Sequence, residues 1–204
     1  MENFLKSTKF CDCDNRRIKA KAIELTQNDK NPKETALSIF YFVRDHVPYI
    51  GGPIVKASQT LKIGNGFCVT KSNLQVALLR AVNIPARYHV AHLRKDILIG
   101  IIPGIETDEI HDVITYHPWC ECYLSDKWIS CEALFEKALI DKIFNKGIHG
   151  KEDIPIIDWD GENDLNIVTP WKIEDKGTYD SLDEFFLEVK KYFEGGLVGI
   201  PPKL

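Results

Sequence analysis

The run Gly64-Asn-Gly-Phe-Cys68, continued by the helical pattern Val69 to Ala81 and then by Asn83-Ile-Pro-Ala-Arg87, constrains this chain more than any other stretch. Leu74, Ala77, Leu78 and Ala81 recur at helical spacing, which predicts a helix buried on several sides. Asn83 tolerates left-handed backbone and is a fitting stop. Cys68 thus stands where a loop turns into a buried helix. The two glycines let the backbone come close to whatever faces its sulfur. The first turn of a helix leaves N–H groups unpaired and carries partial positive charge, and both favour a thiolate over a thiol. Cys68 is the candidate nucleophile.

With 204 residues, 44% of them hydrophobic and 27% charged, the chain has the make-up of one globular unit of mixed helix and sheet. It reads as a single domain over residues 1–204. The core lies at about 35–135, preceded by a helical segment at 1–34 and followed by an extension at 136–204. A net charge of −4 and the lack of any basic run beyond Arg16-Arg17 and Lys190-Lys191 argue against nucleic acid as a partner. The first residues lack the apolar block of a signal peptide and no window is apolar enough to span a membrane, so the expected location is the cytoplasm, with no membrane partner. The six cysteines are then expected to be free thiols. No feature of the sequence assigns an oligomeric state.

Residues 14–26 read as a helix with Asp14 as its cap and Ile18, Ala22 and Leu25 on one face. Asn31-Pro-Lys-Glu34 opens a second helix that Val47-Pro48 ends. Residues 51–66 read as loop. Alternation over 86–93 suggests a first strand, and residues 117–124 and 128–133 form two more, joined by Ser125-Asp-Lys127 as a tight antiparallel hairpin. A helix over 134–144 follows. Residues 147–177 read as irregular surface, and Ser181-Leu-Asp-Glu184 begins a last helix ended by Gly195-Gly196. The isoleucine-rich segment 97–110 is either a cover for a substrate groove or an extension of the core.

Period-two alternation puts His117, Trp119, Glu121 and Tyr123 on one face of the second strand and Pro118, Cys120, Cys122 and Leu124 on the other. If the hairpin closes through a two-residue turn at Ser125-Asp126, Glu132 falls opposite Trp119 and one diagonal step from His117; a turn of odd length reverses this. A thiol at a helix start, an imidazole and a carboxylate that orients it make a nucleophile, base and orienter set. An ordinary thiol titrates near 8.5, so an adjacent imidazolium is what supplies a reactive thiolate at neutral pH. An oxyanion would meet the N–H of Cys68 and one further donor. Gln59 and Asn65 are the nearby candidates, and Trp119 can wall the site. Trp128 reads as packing, Arg87 as a structural hydrogen-bonder, and His89, His92 and His111 as packing or surface residues. Cys11/Cys13 and Cys120/Cys122 raise a zinc reading, but Cys-x-Cys is tighter than the usual spacing of structural zinc ligands, so no metal site is assigned.

Gly-Phe-Cys68, Leu-Leu-Arg-Ala, Ile-Pro-Ala-Arg87, His117-x-Trp-x-Glu-x-Tyr and Trp128-Ile-Ser-Cys-Glu132 together resemble the core of the transglutaminase-like superfamily of papain-type cysteine enzymes, in its bacterial and archaeal form. The helix ending Tyr-Phe-Val-Arg-Asp45, with Tyr49 soon after, is similar to the segment that precedes that core. The resemblance implies an α+β, papain-like fold in which the helix carrying the nucleophilic cysteine packs on an antiparallel sheet. It implies a catalytic set of Cys68, His117 and Glu132, with no metal or organic cofactor. Three positions depart from the family pattern: glutamate at 132 replaces the usual aspartate, Pro118 follows the histidine, and Asn83 stands where glycine is usual. Pro118 cannot donate to a ladder, which suggests that His117 opens its strand or lies on an edge. The activity implied is acyl-enzyme chemistry on a peptide, protein or amide substrate, in the form of a cysteine peptidase or amidase. The alternatives are protein-glutamine acyl transfer and a non-catalytic binding module. An arylamine acetyltransferase would need a coenzyme A site that no motif here supplies.

Overall fold

The helix that begins at Cys68 is the centre of the molecule. A computed structural model describes residues 1–98, 112–145 and 156–187. In it α4 (Cys68–Ala81) is surrounded by α1 (Arg16–Thr26), α2 (Pro32–His46) and α3 (Ala57–Ile63) and packs on a four-stranded sheet. The strands are β1 (Ala86–Arg94), β2 (Val113–Leu124), β3 (Lys127–Ser130) and β4 (Lys172–Tyr179), in the order β3-β2-β1-β4 with every pairing antiparallel. A short α5 (Lys137–Asn145) follows β3, and residues 183–187 are again helical. This is the α+β architecture expected from the sequence.

Every residue of α4 from Val69 to Arg80 is buried, the polar ones included. They are tolerated because each is hydrogen-bonded. Asn73 donates to Phe10 O at 3.0 Å and accepts from the Tyr88 hydroxyl at 2.8 Å, and Gln75 donates to Cys131 O at 2.8 Å. The Arg80 guanidinium reaches Ala86 O, Lys6 O and Asp180 O, tying the N-terminal segment, β1 and the chain after β4 to one helix. Asn83, in left-handed backbone at φ 62°, ends the helix, and Ile84 N donates back to Leu79 O at 3.0 Å.

The β2–β3 hairpin turns on Ser125 and Asp126, both at positive φ (49° and 62°), the two-residue turn whose twist suits such strands. Leu124 pairs with Lys127 and Glu121 with Ser130. This is the register that places Glu132 across from Trp119.

Several elements differ from the sequence reading. Asn15, not Asp14, caps α1, its side chain accepting from Arg17 N. The stretch read as loop contains α3, capped at its end by Gly64 at φ 80°. β2 starts at Val113, so His117 does not open its strand; β1 covers it on one side as far as Arg94, while its other side lies beyond the end of β3 and is locally an edge. Pro118 is accommodated because Tyr123 N bonds towards β1 while Cys120 O accepts from Cys131 N on the other side. Even-numbered positions of β2 therefore aim their polar groups away from β1. At residue 118 that side lies beyond the end of β3, where no ladder donor is required. Strand β3 ends at Ser130; beyond it the chain bridges to Leu165, with Leu165 N donating to Ser130 O and Glu132 N to Leu165 O. Within the segment read as irregular surface, Trp159, Leu165, Ile167 and Val168 are core residues and 172–179 is strand β4. Residues 99–110 of the isoleucine-rich segment and the Gly195-Gly196 stop lie outside the described residues. All six cysteines are free. No helix among the described residues is long and apolar enough to cross a membrane.

Arg80 is 3% exposed and serves three carbonyl groups. Arg80→Met leaves those acceptors without partners, and urea unfolding is expected to show a loss of roughly 3 kcal/mol. A loss under about 1 kcal/mol would show that water replaces the guanidinium at little cost.

Candidate active site

Gly66 makes room for the start of α4. A Cβ there would sit 2.5 Å from Thr70 Oγ1, and that hydroxyl accepts from Phe67 N at 3.0 Å, closing the first turn. Gly66 also pairs with the segment after α2: its N–H donates to Pro48 O and its carbonyl accepts from Ile50 N at 2.8 Å. The junction leaves Cys68 half-buried at the first position of α4. Glycine at 66 is thus required by close approach, not by backbone angle.

On the sheet side, a bulge between Ala91 and Leu93 and the left-handed backbone of Tyr116 (φ 61°) bend β2 just before His117. The His117 ring is 4% exposed and its Nε2 lies 2.6 Å from Glu132 Oε1. Its Nδ1 is not taken by Glu132, and the neighbouring Cys68 acts on the charge of the ring. Glu132 is 2% exposed and its second oxygen accepts from Ile167 N at 2.6 Å and Val168 N at 3.3 Å. The longer arm of glutamate is therefore pinned at both oxygens. Burial alone would drive the His117 proton off, but hydrogen bonds and charge from Cys68 and Glu132 outweigh it and push the imidazole up to about 10. The ring is an imidazolium at neutral pH.

The structure gathers Cys68, His117, Glu132 and Trp119 in one place. Trp119 lies against His117 with ring centroids 6.2 Å apart and lines a cavity of about 10 Å³ beside Cys68, shared with Lys71, Gln75, Glu132 and Leu134. That space holds about one water molecule. Gln59 and Asn65 do not line it. Gln59 is exposed and its Oε1 accepts from Lys56 N at 3.2 Å at the start of α3. Asn65 is a half-buried residue of the connecting loop. Arg87 has the structural role expected of it, binding Glu121 at 2.6 Å and lying over Trp128 at 4.1 Å. Among the described residues no group of three His, Cys, Asp or Glu side chains is placed to hold a metal ion.

Two neighbours of the candidate site went unassigned in the sequence. One is Tyr49, half-buried, its N–H on Glu136 Oε2 at 3.0 Å and its ring edge-on to Phe135 at 5.0 Å. Burial above all, with the nearby Cys68 and Glu132, holds its phenol well above the ordinary tyrosine range, so it stays protonated. The other is the backbone of Ile167 and Val168. The position of Tyr49 shortly before Gly66 was a signal for the first; backbone donors leave none for the second.

The family profile of the transglutaminase-like superfamily matches residues 19–133, more than half of the chain. The chain belongs to that superfamily. Among solved structures, this superfamily member is similar to a candidate cysteine protease from Cytophaga hutchinsonii, at a TM-score of 0.55 and 18% identity, over 89% of this chain and 47% of that one. It also aligns with a candidate protease from Parabacteroides distasonis at a TM-score of 0.43 and 16% identity, over 65% of this chain and 25% of that one. The chain thus spans about half the length of the first and a quarter of the second. The first likeness establishes the papain-like, transglutaminase-core fold. No curated protein matches the sequence.

Gly66→Ala is expected to push the Thr70 hydroxyl aside, loosen the first turn of α4 and slow alkylation of Cys68 at pH 7 about tenfold; an unchanged rate would show that the turn absorbs the methyl group. The raised His117 value also links stability to pH. Its stabilisation is complete below the unfolded value near 6.5 and is lost as pH climbs to about 10. The gap in urea midpoint between the native chain and His117→Gln is therefore expected to narrow steadily from pH 6.5 to 10. A constant gap would contradict the assignment.

Proposed function

We propose that this protein cleaves peptide or amide bonds by thiol-dependent acyl-enzyme catalysis, with Cys68 as nucleophile, His117 as acid and base, and Glu132 as the group that orients the imidazole. The observation that carries this reading is the buried 2.6 Å hydrogen bond from His117 Nε2 to Glu132 Oε1 beside a half-buried thiol at the start of α4. Holding the ring by Nε2 presents Nδ1 to the sulfur and keeps it there. The description of the Cytophaga protein as a candidate cysteine protease agrees with this reading.

In the first half-reaction the Cys68 thiolate attacks the carbonyl carbon of the amide and forms a carbon–sulfur bond. The oxyanion is met by the Cys68 N–H and the Tyr49 hydroxyl, which replaces Gln59 and Asn65 as second donor. The intermediate collapses with cleavage of the carbon–nitrogen bond, and the His117 imidazolium gives its proton to the departing amine. In the second half-reaction neutral His117 takes a proton from the incoming nucleophile, which attacks the thioester and releases Cys68 as thiolate. Water in that step gives a carboxylic acid; a primary amine gives a new amide, the transglutaminase outcome. Water is favoured because it is always present. The chemistry calls for no metal or organic cofactor.

Mass spectrometry after incubation with a panel of peptide and amide substrates tests this directly. An acyl adduct on Cys68, absent in Cys68→Ala, is expected; no adduct with any substrate, from a thiol no more reactive than a free cysteine, would leave a binding module as the better description. For a substrate so identified, Tyr49→Phe is expected to lower kcat about 10²-fold with little change in KM. An equal rate would remove Tyr49 from the oxyanion site.

A further inference from the structure

A second imidazole lies behind the first. His89 on β1 pairs with Trp119 on β2, and their rings stack at 4.3 Å with planes only 11° apart. Its two nitrogens both face carboxylates: Nδ1 is 2.7 Å from Glu121 Oε1 and Nε2 is 2.8 Å from Asp175 Oδ1. A carboxylate accepts and does not donate, so both nitrogens carry hydrogen and the ring is a cation. Trp119, 1% exposed, thus has a cation stacked on its ring and the His117 ring tilted at 32° with its centroid 6.2 Å away, while its Nε1 donates to Ser130 Oγ at 3.1 Å and Ser130 in turn to Glu121. Glu121 is the hub, also taking Arg87 at 2.6 Å.

We propose that His89 is a positioning residue for His117: clamped between Glu121 and Asp175, it presses a charged ring on Trp119 and through that indole fixes the imidazole that faces Cys68. The inference rests on the assignment of Cys68 and His117 above. A cation over an indole face is worth most where both are desolvated, and here the indole is buried and the cation half-buried. The clamp reaches across the sheet, because Asp175 belongs to β4, the edge strand, and is itself held by Lys172 at 3.2 Å. The groups facing His89 are thus Glu121 and His117 on β2, Asp175 and Lys172 on β4, and Arg87 on its own strand through Glu121. Burial works against its charge, but the two carboxylates outweigh burial and raise its titration above that of an ordinary histidine. Positioning of His117 therefore weakens as pH rises and His89 loses its second proton.

The test is the rate of Cys68 alkylation by iodoacetamide between pH 5.5 and 9, followed by mass spectrometry, with folding of each variant checked by circular dichroism. His117→Ala serves as the control for the underlying assignment and is expected to abolish the enhanced reactivity near neutral pH. His89→Gln is expected to slow the reaction at pH 7 about tenfold, and His89→Arg, a planar cation able to stack and to bond both carboxylates, to recover it within about threefold. Asp175→Asn, on the exposed edge and least able to upset folding, keeps an acceptor but removes a charge. Its rate is expected to match the native chain at pH 6 and to fall behind by pH 8. If His89→Gln and Asp175→Asn both follow the native profile while His117→Ala does not, His89 is merely structural and the inference is overturned with the active-site assignment intact. If His117→Ala also follows the native profile, the assignment fails and takes this inference with it.

Discussion

The Glu132 carboxylate is the point on which the structure turns. A charge at 2% exposure is costly unless every lone pair is used, and here one oxygen meets His117 and the other two backbone N–H groups. Satisfying it requires three separate conditions at once. The hairpin must close on two residues so that 132 faces 119, the segment 165–168 must dock alongside β3, and His117 must arrive from a bent β2. The elements around Cys68 are arranged to the same end, because α4 can stay so deeply buried only by handing each polar side chain a partner from a neighbouring element.

Those elements that announce themselves by periodicity were legible in the sequence: α4 from its apolar stripe, α2 from Asn31-Pro32 and Glu34, and the hairpin from two alternating runs around Ser125-Asp126. The family likewise followed from the blocks at 68, 87, 117 and 132. What stayed hidden did so for physical reasons. Strand β4 is an edge strand, mostly exposed, so its sequence Lys-Ile-Glu-Asp-Lys-Gly-Thr-Tyr carries no apolar alternation. Helix α3 is only seven residues long and lies among glycines and a proline, where loop chemistry drowns the pattern. The core residues at 157–168 are spaced irregularly because they fill gaps instead of forming a stripe. Pro118 was a partial guide: His117 does not open its strand, yet β2 is unpaired on one side there.

At the candidate site, residue type and spacing were enough to single out Cys68, His117 and Glu132, and the coordinates bring them together. Gln59 was chosen for nearness along the chain, yet the turn of α3 sends its side chain to a cap. Tyr49, farther in sequence, is brought to the start of α4 because Gly66 bridges to it. The face of β2 that holds His117 also holds Trp119 and Glu121, so two imidazole–carboxylate pairs pack around one indole. Coupled charged groups of this kind, buried at some expense, are concentrated where chemistry is done more than where packing alone is required.

The most direct measurement is an NMR titration of the His117 ring in the native chain and in Cys68→Ala. The account expects the native ring to remain doubly protonated past pH 8 and to give up its proton at a distinctly lower pH once the sulfur is gone, because hydrogen bonding and charge from Cys68, together with Glu132, outweigh the burial of the ring. A native ring that titrates near 6.5, indifferent to the loss of Cys68, would contradict the pairing of thiol and imidazole from which everything else here follows.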